Sequence, residues 1–241
     1  KDIGVNFGGI QAVKAVTLDI LTGERHAILG PNGAGKTSLF NLIAGEYKAT
    51  SGSVMMFGED VTRKPIHLRS RMGLGRTYQT SALFPQLSVL DHLYLAIRGC
   101  YRGRMSFLPI GRNQATRSAA IELAEKVGLI DRIDQTVADL AHGQQRQLEV
   151  GLALAGNPRL ILLDEPAAGL SQGERVELVQ LLKRLENHLT VLIIEHDMDV
   201  ALEVADMITV MHDGRSIATD TPDSIAHNQQ IHDLYLGKSD A

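Results

Sequence analysis

The sequence predicts an α/β protein whose core is a mainly parallel β-sheet. Short apolar runs that suit buried strands alternate with segments of helical spacing in the N-terminal third and again from residue 158. This alternation is typical of parallel sheets. Residues 80–157 instead show helical periodicity and no strand pattern. We therefore predict one domain, 1–241, in which 1–79 and 158–241 form the core with an N-terminal antiparallel β subdomain. Residues 80–157 form an inserted all-helical subdomain.

Length, charge and cysteine content narrow the classes of protein that fit. The 241 residues suffice for one large α/β domain with a sizeable core. The net charge of −4 disfavours a dedicated nucleic-acid surface, which normally carries a basic excess. A single cysteine, Cys100, rules out an internal disulfide and fits a reducing compartment. No apolar run of about 18 residues is present, so no segment is expected to span a bilayer.

The first thirty residues predict a small antiparallel sheet followed by a buried strand. Residues 3–7 and 12–21 alternate apolar and polar side chains, which indicates two strands joined by a turn at Gly8 and Gly9. Residues 24–29 end in the apolar run Ala27, Ile28 and Leu29 and predict the first strand of the core.

The stretch 30–38, with the sequence GPNGAGKTS, matches the phosphate-binding pattern G-x-x-x-x-G-K-[ST] and lies between that strand and a predicted helix. Its glycines let backbone N–H groups surround an anion, and the helix directs its positive end at the same point. Lys36 adds a charge for the outer phosphates and Thr37 offers a hydroxyl to Mg²⁺. The residues expected around a nucleoside triphosphate are Gly30, Pro31, Asn32, Gly33, Ala34, Gly35, Lys36, Thr37 and Ser38.

Further elements follow in order before the helical subdomain. Residues 53–57 predict a strand that ends in a turn at 58–60, 66–71 a short helix, and 74–78 a strand that leads to Gln79. Within the helical subdomain, 98–112 is basic, glycine-rich and poorly periodic, so we expect a loop or a short irregular insert there. Its arginines favour contact with anionic lipid, and a solvated surface loop is the alternative.

A second strong pattern is the strand Leu160–Asp164, which places Asp164 and Glu165 together at its end. Asp164 suits a ligand of Mg²⁺, and Glu165 suits a group that orients or deprotonates the attacking water. The alternation then resumes with helices at 173–185 and 198–205 and strands at 190–194, 207–211 and 215–219, before a C-terminal helix. Ligands are expected at the carboxyl ends of the strands.

A third pattern is a polar segment that opens a helix at residues 140–147, with the sequence LAHGQQRQ. The backbone N–H groups after Gly143 would form a second anion site. Two such helix ends in one chain suggest that two copies meet around shared nucleotides. In this context Phe7, Gln79 and His196 become candidate site residues. Taken alone, Phe7 could equally be a core aromatic, Gln79 a polar cap and His196 a hydrogen-bonded structural histidine.

The whole chain resembles the nucleotide-binding subunit of ABC transporters, and most closely the branched-chain amino-acid and amide uptake group. The matching motifs are 30–37 (Walker A), Leu160–Asp164 (Walker B), 140–144 (the signature segment, usually LSGGQ), Gln79 (Q-loop) and His196 (H-loop). The group markers are residues 75–79, 83–85 and 164–170.

The resemblance implies a P-loop NTPase (RecA-like) core and the cofactors ATP and Mg²⁺. It implies that Phe7 stacks on adenine and that Thr37, Gln79 and Asp164 hold the metal. Glu165, His196 and Gln79 would be catalytic. The signature residues that would reach the nucleotide of a second subunit are Ala141, His142, Gly143 and Gln144.

Two residues depart from the superfamily pattern. Ala141 replaces the signature serine and removes a hydroxyl that would bond the γ-phosphate across the dimer, so this contact is expected to be weakened rather than lost. Ser171 stands where an aspartate is usual, which puts the communication between the two sites in doubt.

The resemblance also implies partners and a location. We expect an importer ATPase on the cytoplasmic face of the bacterial inner membrane, paired with an identical chain or a paralogue. It would bind two permease subunits and, indirectly, a solute-binding protein, but no nucleic acid.

The alternatives are a lipopolysaccharide-type exporter ATPase, an ABC ATPase acting on DNA or ribosomes, and a clamp without turnover. The net charge of −4 and the absence of coiled-coil heptads disfavour the nucleic-acid alternative. The presence of Glu165, Gln79 and His196 disfavours the clamp.

Overall fold

The computed structural model describes residues 1–78, 83–100 and 113–231. The strands are β1 (Ile3–Phe7), β2 (Ile10–Val16), β3 (Arg25–Leu29), β4 (Met55–Met56), β5 (Glu59–Asp60), β6 (Leu74–Arg76), β7 (Leu160–Asp164), β8 (Thr190–Glu195), β9 (Met207–His212) and β10 (Arg215–Asp220). The helices are α1 (Lys36–Ala44), α2 (Ile66–Arg71), α3 (Val89–Cys100), α4 (Gln114–Lys126), α5 (His142–Leu154), α6 (Gln172–Arg184), α7 (Met198–Val204) and α8 (Pro222–Ala226). None of the helices in these ranges is both long and apolar enough to cross a bilayer.

The central sheet has six strands in the order β10-β9-β3-β8-β7-β6. All neighbours in it are parallel except β10, which pairs antiparallel with β9. Strands β3, β7 and β8 are almost entirely buried, because helices cover both faces of the sheet. The predicted mainly parallel α/β fold is confirmed.

Besides shifts of one or two residues at other strand ends, the N-terminal part differs from the prediction in two places. The second strand ends at Val16 instead of residue 21, because Thr17 turns its hydroxyl to the backbone N–H of Asp2 at 2.8 Å and leaves the ladder. Residues 59 and 60, predicted as a turn, form strand β5 of a short hairpin. Phe57 and Gly58 both have positive φ, at 54° and 84°, which is the backbone of a tight two-residue hairpin turn.

Helices α3, α4 and α5 lie between β6 and β7 in the chain and share one apolar core. Helix α3 continues through Cys100, so Arg98 is helical and the prediction of a loop from residue 98 is wrong at its start. The reason is that Ile97 still packs into the core, at 2% exposure, one full turn after Leu93. Residues 101–112 of the predicted basic loop lie outside the described residues, and the boundaries of the helical subdomain stay a prediction.

The C-terminal end of α1 is held by Arg69 of α2, a guanidinium that is almost fully buried. Its Nη1 donates to the carbonyls of Leu42 and Ile43, each at 2.7 Å, and its Nε donates to Lys64 at 2.8 Å. The carbonyls of Leu42 and Ile43 belong to the last turn of α1, where few backbone donors remain, and that of Leu42 also accepts the N–H of Gly45 at 3.2 Å. Arg69 therefore fixes the far end of the helix that begins at the predicted phosphate loop.

Candidate active site

Three of the predicted motifs lie together at the carboxyl ends of β3, β8 and β7. Leu29 pairs with Glu195, and Asp164 pairs with Ile194, so these strands end at nearly the same level. The phosphate loop, Glu165 and His196 each follow directly. The register of the parallel ladder thus brings the phosphate loop next to Glu165 and His196, which come more than 120 residues later in the chain.

The phosphate loop (residues 30–38) depends on close backbone approaches. A Cβ on Gly30 would lie 2.4 Å from the carbonyl oxygen of Met211, and one on Gly35 would lie 2.4 Å from that of Ala12. Gly35 also has φ of 95° and precedes α1 without a side-chain cap from any described residue. The first N–H groups of α1 are therefore open to an anion.

Lys36, the first residue of α1, folds its ammonium back over the loop. Its Nζ donates to the carbonyls of Gly30 at 2.6 Å and Pro31 at 3.1 Å. Burial lowers the pKa of Lys36, and the charges of Glu165 and Asp164 oppose that shift. The ammonium thus lies over the loop, where a phosphate could replace the carbonyls as its partner. Thr37, next in the helix, is exposed.

Asp164 has the properties expected of a residue that holds a cation. It is 3% exposed, and its Oδ1 has no hydrogen-bond partner within the described part of the chain. Burial raises the pKa of Asp164, while the nearby charges of Arg76 and Lys36 act in the opposite direction. A buried carboxylate oxygen without a donor is a good ligand for Mg²⁺, which takes few protein carboxylates alongside phosphate oxygens. Asp164 therefore fits the role of a single protein carboxylate on Mg²⁺.

Glu165 has a strained backbone, with φ of 46°. Its N–H donates to the carbonyl of Ile194 at 2.9 Å, and its carbonyl accepts the N–H of Ala168 at 3.1 Å, so both sides of the residue are held. Its Oε2 lies 3.5 Å from Nδ1 of His196. Both side chains retain solvent exposure, 22% for Glu165 and 51% for His196. Water can therefore reach both side chains at the carboxyl ends of the strands.

The signature residues 141–144 begin α5, and Ala141 is its N-cap. The side chain of Gln144 reaches back, and its Oε1 accepts the N–H of Ala141 at 3.0 Å. His142 is exposed, whereas Gly143 is buried against α6. The predicted second helix start therefore exists. Gln79 lies outside the described residues.

Phe7 ends β1 and is 45% exposed. Its ring meets that of Tyr47 edge to face, with 5.1 Å between centroids and 77° between planes. Nearly half of the Phe7 side chain stays accessible, so the ring can still contact a planar partner. This geometry allows the predicted stacking on a base.

The family follows from comparison with known proteins. A family model described as ABC transporter matches residues 13–168. The chain is 35% identical to LivG of Escherichia coli K12, a high-affinity branched-chain amino acid transport ATP-binding protein, over 98% of this chain and 95% of LivG. The chain belongs to the ABC transporter ATP-binding family. The predicted resemblance to the branched-chain amino-acid group is thereby confirmed, and this ABC ATPase binds and hydrolyses ATP as its family does.

Solved structures agree with this ABC ATPase along nearly its whole length. The ADP conformation of MJ1267, an ATP-binding cassette of an ABC transporter, has a TM-score of 0.88 at 28% identity and covers 98% of this chain and 97% of its own. The dimeric post-hydrolysis state of the cassette MJ0796, bound to ADP and Pi, has a TM-score of 0.77 at 29% identity over 92% and 97%. The roles of individual residues stay a prediction.

Glu195 is a buried carboxyl of the ABC ATPase that sequence reasoning missed. It ends β8 with 0% exposure, and its Oε1 accepts the N–H of Ala167 at 3.0 Å. Burial raises the pKa of Glu195 to about 7. Through Ala167 it holds the turn that carries Glu165. The sequence offers only a charged residue at the end of an apolar strand, which equally indicates a surface position.

A groove lies at the end of α5 opposite the signature segment. It has a volume of about 950 Å³, and α2, β6 and the C-terminal ends of α3 and α5 surround it. Leu74, Leu152 and Ala153 give it an apolar wall, and Arg71 and Arg159 line it too. Cys100 of α3 also lines the groove. Helix α5 thus connects the groove to the signature segment over 13 residues, about 20 Å at 1.5 Å per residue.

Proposed function

We propose that this chain is the ATP-hydrolysing subunit of an importer for branched-chain amino acids or related amides. The observation that carries this proposal is the convergence of Lys36, Asp164, Glu165 and His196 at the carboxyl ends of the central strands, in a chain 35% identical to LivG. The convergence supports phosphoryl transfer to water. The likeness to LivG supports the direction of transport and the class of solute.

Each group has a chemical task in this proposal. Lys36 and the open N–H groups of α1 bind the phosphates, and Phe7 stacks on the adenine with little hydrogen-bonded reading of the base. Thr37 and Asp164 would hold Mg²⁺ together with Gln79, and the ion would neutralise charge on the phosphate oxygens. Glu165 accepts a proton from the attacking water, and His196, 3.5 Å away, orients the carboxylate.

The proposal includes a second ATPase subunit, because the signature segment and the phosphate loop serve different nucleotides. The subunit is either an identical chain or a paralogue. ATP held on one phosphate loop would be completed by Gly143 of the other subunit, and ATP binding would thus drive pairing.

Two permease subunits would dock at the groove, one on each ATPase, at the cytoplasmic face of the bacterial inner membrane. The groove's apolar wall and its arginines suit a short amphipathic segment of a membrane protein. A solute-binding protein would take part indirectly, on the other side of the membrane.

The test is purification of the tagged chain from detergent-solubilised membranes of its own cell, followed by transport assays. We expect two multi-span permeases to copurify, and we expect uptake of labelled leucine to stop in the Glu165→Gln variant. Copurification with ribosomes or DNA would overturn the proposal. Efflux that depends on Glu165, without uptake of any branched-chain amino acid or amide, would replace the importer with an exporter.

A further inference from the structure

The carboxylate of Glu174, in the first turn of α6, bridges the starts of two helices. Its Oε1 accepts the backbone N–H of Gly143, at the start of α5, at 2.7 Å. Its Oε2 accepts the N–H of Ser171 at 2.9 Å and the hydroxyl of Ser171 at 2.7 Å. One side chain therefore joins the signature segment to Ser171, the residue that replaces the usual aspartate.

The contact between Glu174 and Gly143 is tight and specific to glycine. A Cβ on residue 143 would lie 2.7 Å from Cγ of Glu174 and 2.9 Å from its Oε1. The hydrogen bonds from Ser171, and then that from Gly143, lower the pKa of Glu174 to about 2. Glu174 is therefore an anion throughout the neutral range, and its charge lies at the positive end of α5.

This arrangement conflicts with phosphate binding at the signature segment. Ala141 has no hydroxyl to offer, so the γ-phosphate of an ATP held by the second subunit would depend on the backbone N–H groups at the start of α5, and that of Gly143 is one of them. That N–H already donates to a carboxylate. A phosphate and a carboxylate cannot both occupy it, because two anions at this distance repel each other.

We propose that Glu174 is a further determinant of the composite nucleotide site. Its carboxylate accepts the Gly143 N–H that would otherwise donate to the γ-phosphate, and it leaves Gly143 before ATP on the second subunit binds there. The inference rests on the proposed function, since it assumes that the signature segment acts in trans. Ser171 keeps hold of Oε2 when Oε1 departs, so the displaced carboxylate retains partners. Affinity for the shared nucleotide is thus set partly by a residue outside every motif.

The test measures ATP-driven pairing by sedimentation in the Glu165→Gln background, which slows hydrolysis. Glu174→Gln offers Gly143 a neutral acceptor, and Glu174→Ala offers none. Because charge-assisted hydrogen bonds are about twice as strong as neutral ones, we expect the ATP concentration for half-maximal pairing to fall about threefold in the Gln variant and further in the Ala variant. The matched control is Glu177→Gln, which removes the same charge from an exposed position on α6 and should leave pairing unchanged.

Two further measurements, amide hydrogen exchange and Tm, distinguish failure of this inference from failure of the proposed function. Amide hydrogen exchange of Gly143 should be slow in the monomer without nucleotide and faster in Glu174→Ala, which tests the contact without ATP. Because Glu174 also caps α6, the Tm of each variant is measured to show whether loss of the cap has destabilised the fold. An unchanged or higher requirement in a Glu174→Ala variant of normal Tm would overturn this inference alone. Absence of pairing in the Glu165→Gln parent would overturn the proposed function and this inference together.

Discussion

Glu165 is held in a left-handed backbone conformation by hydrogen bonds on both sides, and its carboxylate lies 3.5 Å from His196. We expect Glu165→Gln to bind ATP about as well as the parent, because the carboxylate serves the attacking water and not the bound nucleotide. Hydrolysis should fall by about a hundredfold or more, as expected for loss of a general base. Nucleotide titration and phosphate release measure the two effects, and near-normal turnover would remove Glu165 from the mechanism.

Glu195 makes stability depend on pH in a direction opposite to that of most carboxylates. Its pKa is raised from 4.5 to about 7 by burial, so the folded protein holds a proton that the unfolded chain releases. Stability from this group is present below about pH 4.5 and is lost as pH rises through about 7. At about 1.4 kcal/mol per pKa unit, the loss between pH 5 and 8 amounts to roughly 2–3 kcal/mol.

The Glu195→Gln variant keeps the acceptor for Ala167 but cannot ionise. We expect its free energy of unfolding, measured by urea denaturation, to fall less between pH 5 and 8 than that of the parent. Exposed Glu177→Gln serves as the control and should follow the parent curve. Parallel curves for the parent and the Glu195 variant would show that Glu195 is ionised in the folded protein across this range.

At the residue scale, the sequence predicts best where function demands a fixed local spacing. Lys36 and Asp164 belong to motifs whose flanking strand and helix can be read within ten residues. The contacts of Glu174 with Gly143 and of Glu195 with Ala167 escape this reasoning, because they span 31 and 28 residues and form only when the chain folds.

Among the elements, α1 owes its fixed position to Arg69, which holds its C-terminal carbonyls from α2. Arg69→Met would remove the side-chain donor from the buried or partly buried carbonyls of Leu42, Ile43 and Lys64. We expect the free energy of unfolding to fall by about 2 kcal/mol or more. Arg71→Met on the same helix is the control, since Arg71 is exposed. Equal urea midpoints for the two variants would contradict this role.

Element types and most boundaries follow from apolar periodicity, but the order of strands does not. Strand β3 lies between β8 and β9, which come more than 160 residues later in the chain. Periodicity shows that a strand is buried without showing what lies beside it. The hairpin of β4 and β5 was missed because its turn begins at Phe57, an aromatic residue with positive φ that turn patterns do not anticipate.

For the whole molecule, the decisive property is whether two chains share each nucleotide. We expect Lys36→Ala and Gly143→Asp, each inactive alone, to regain part of their ATPase activity when mixed. Each mixed dimer would contain one site with both defects and one with neither. Because any side chain at residue 143 has to displace Glu174, the folding of that variant is checked by its Tm. Continued inactivity, despite mixed dimers confirmed by sedimentation, would show that the signature segment does not act in trans.

Cys100 ends α3 on the wall of the groove, is exposed, and is the one cysteine of the chain. These 241 residues therefore carry a single attachment point for a maleimide dye or a spin label, at the surface where we propose that a permease docks. A fluorophore there would register the approach of a membrane partner without any engineered residue. The rate of labelling in intact membranes, compared with that of the purified chain, would give the fraction of ATPase subunits engaged with a permease.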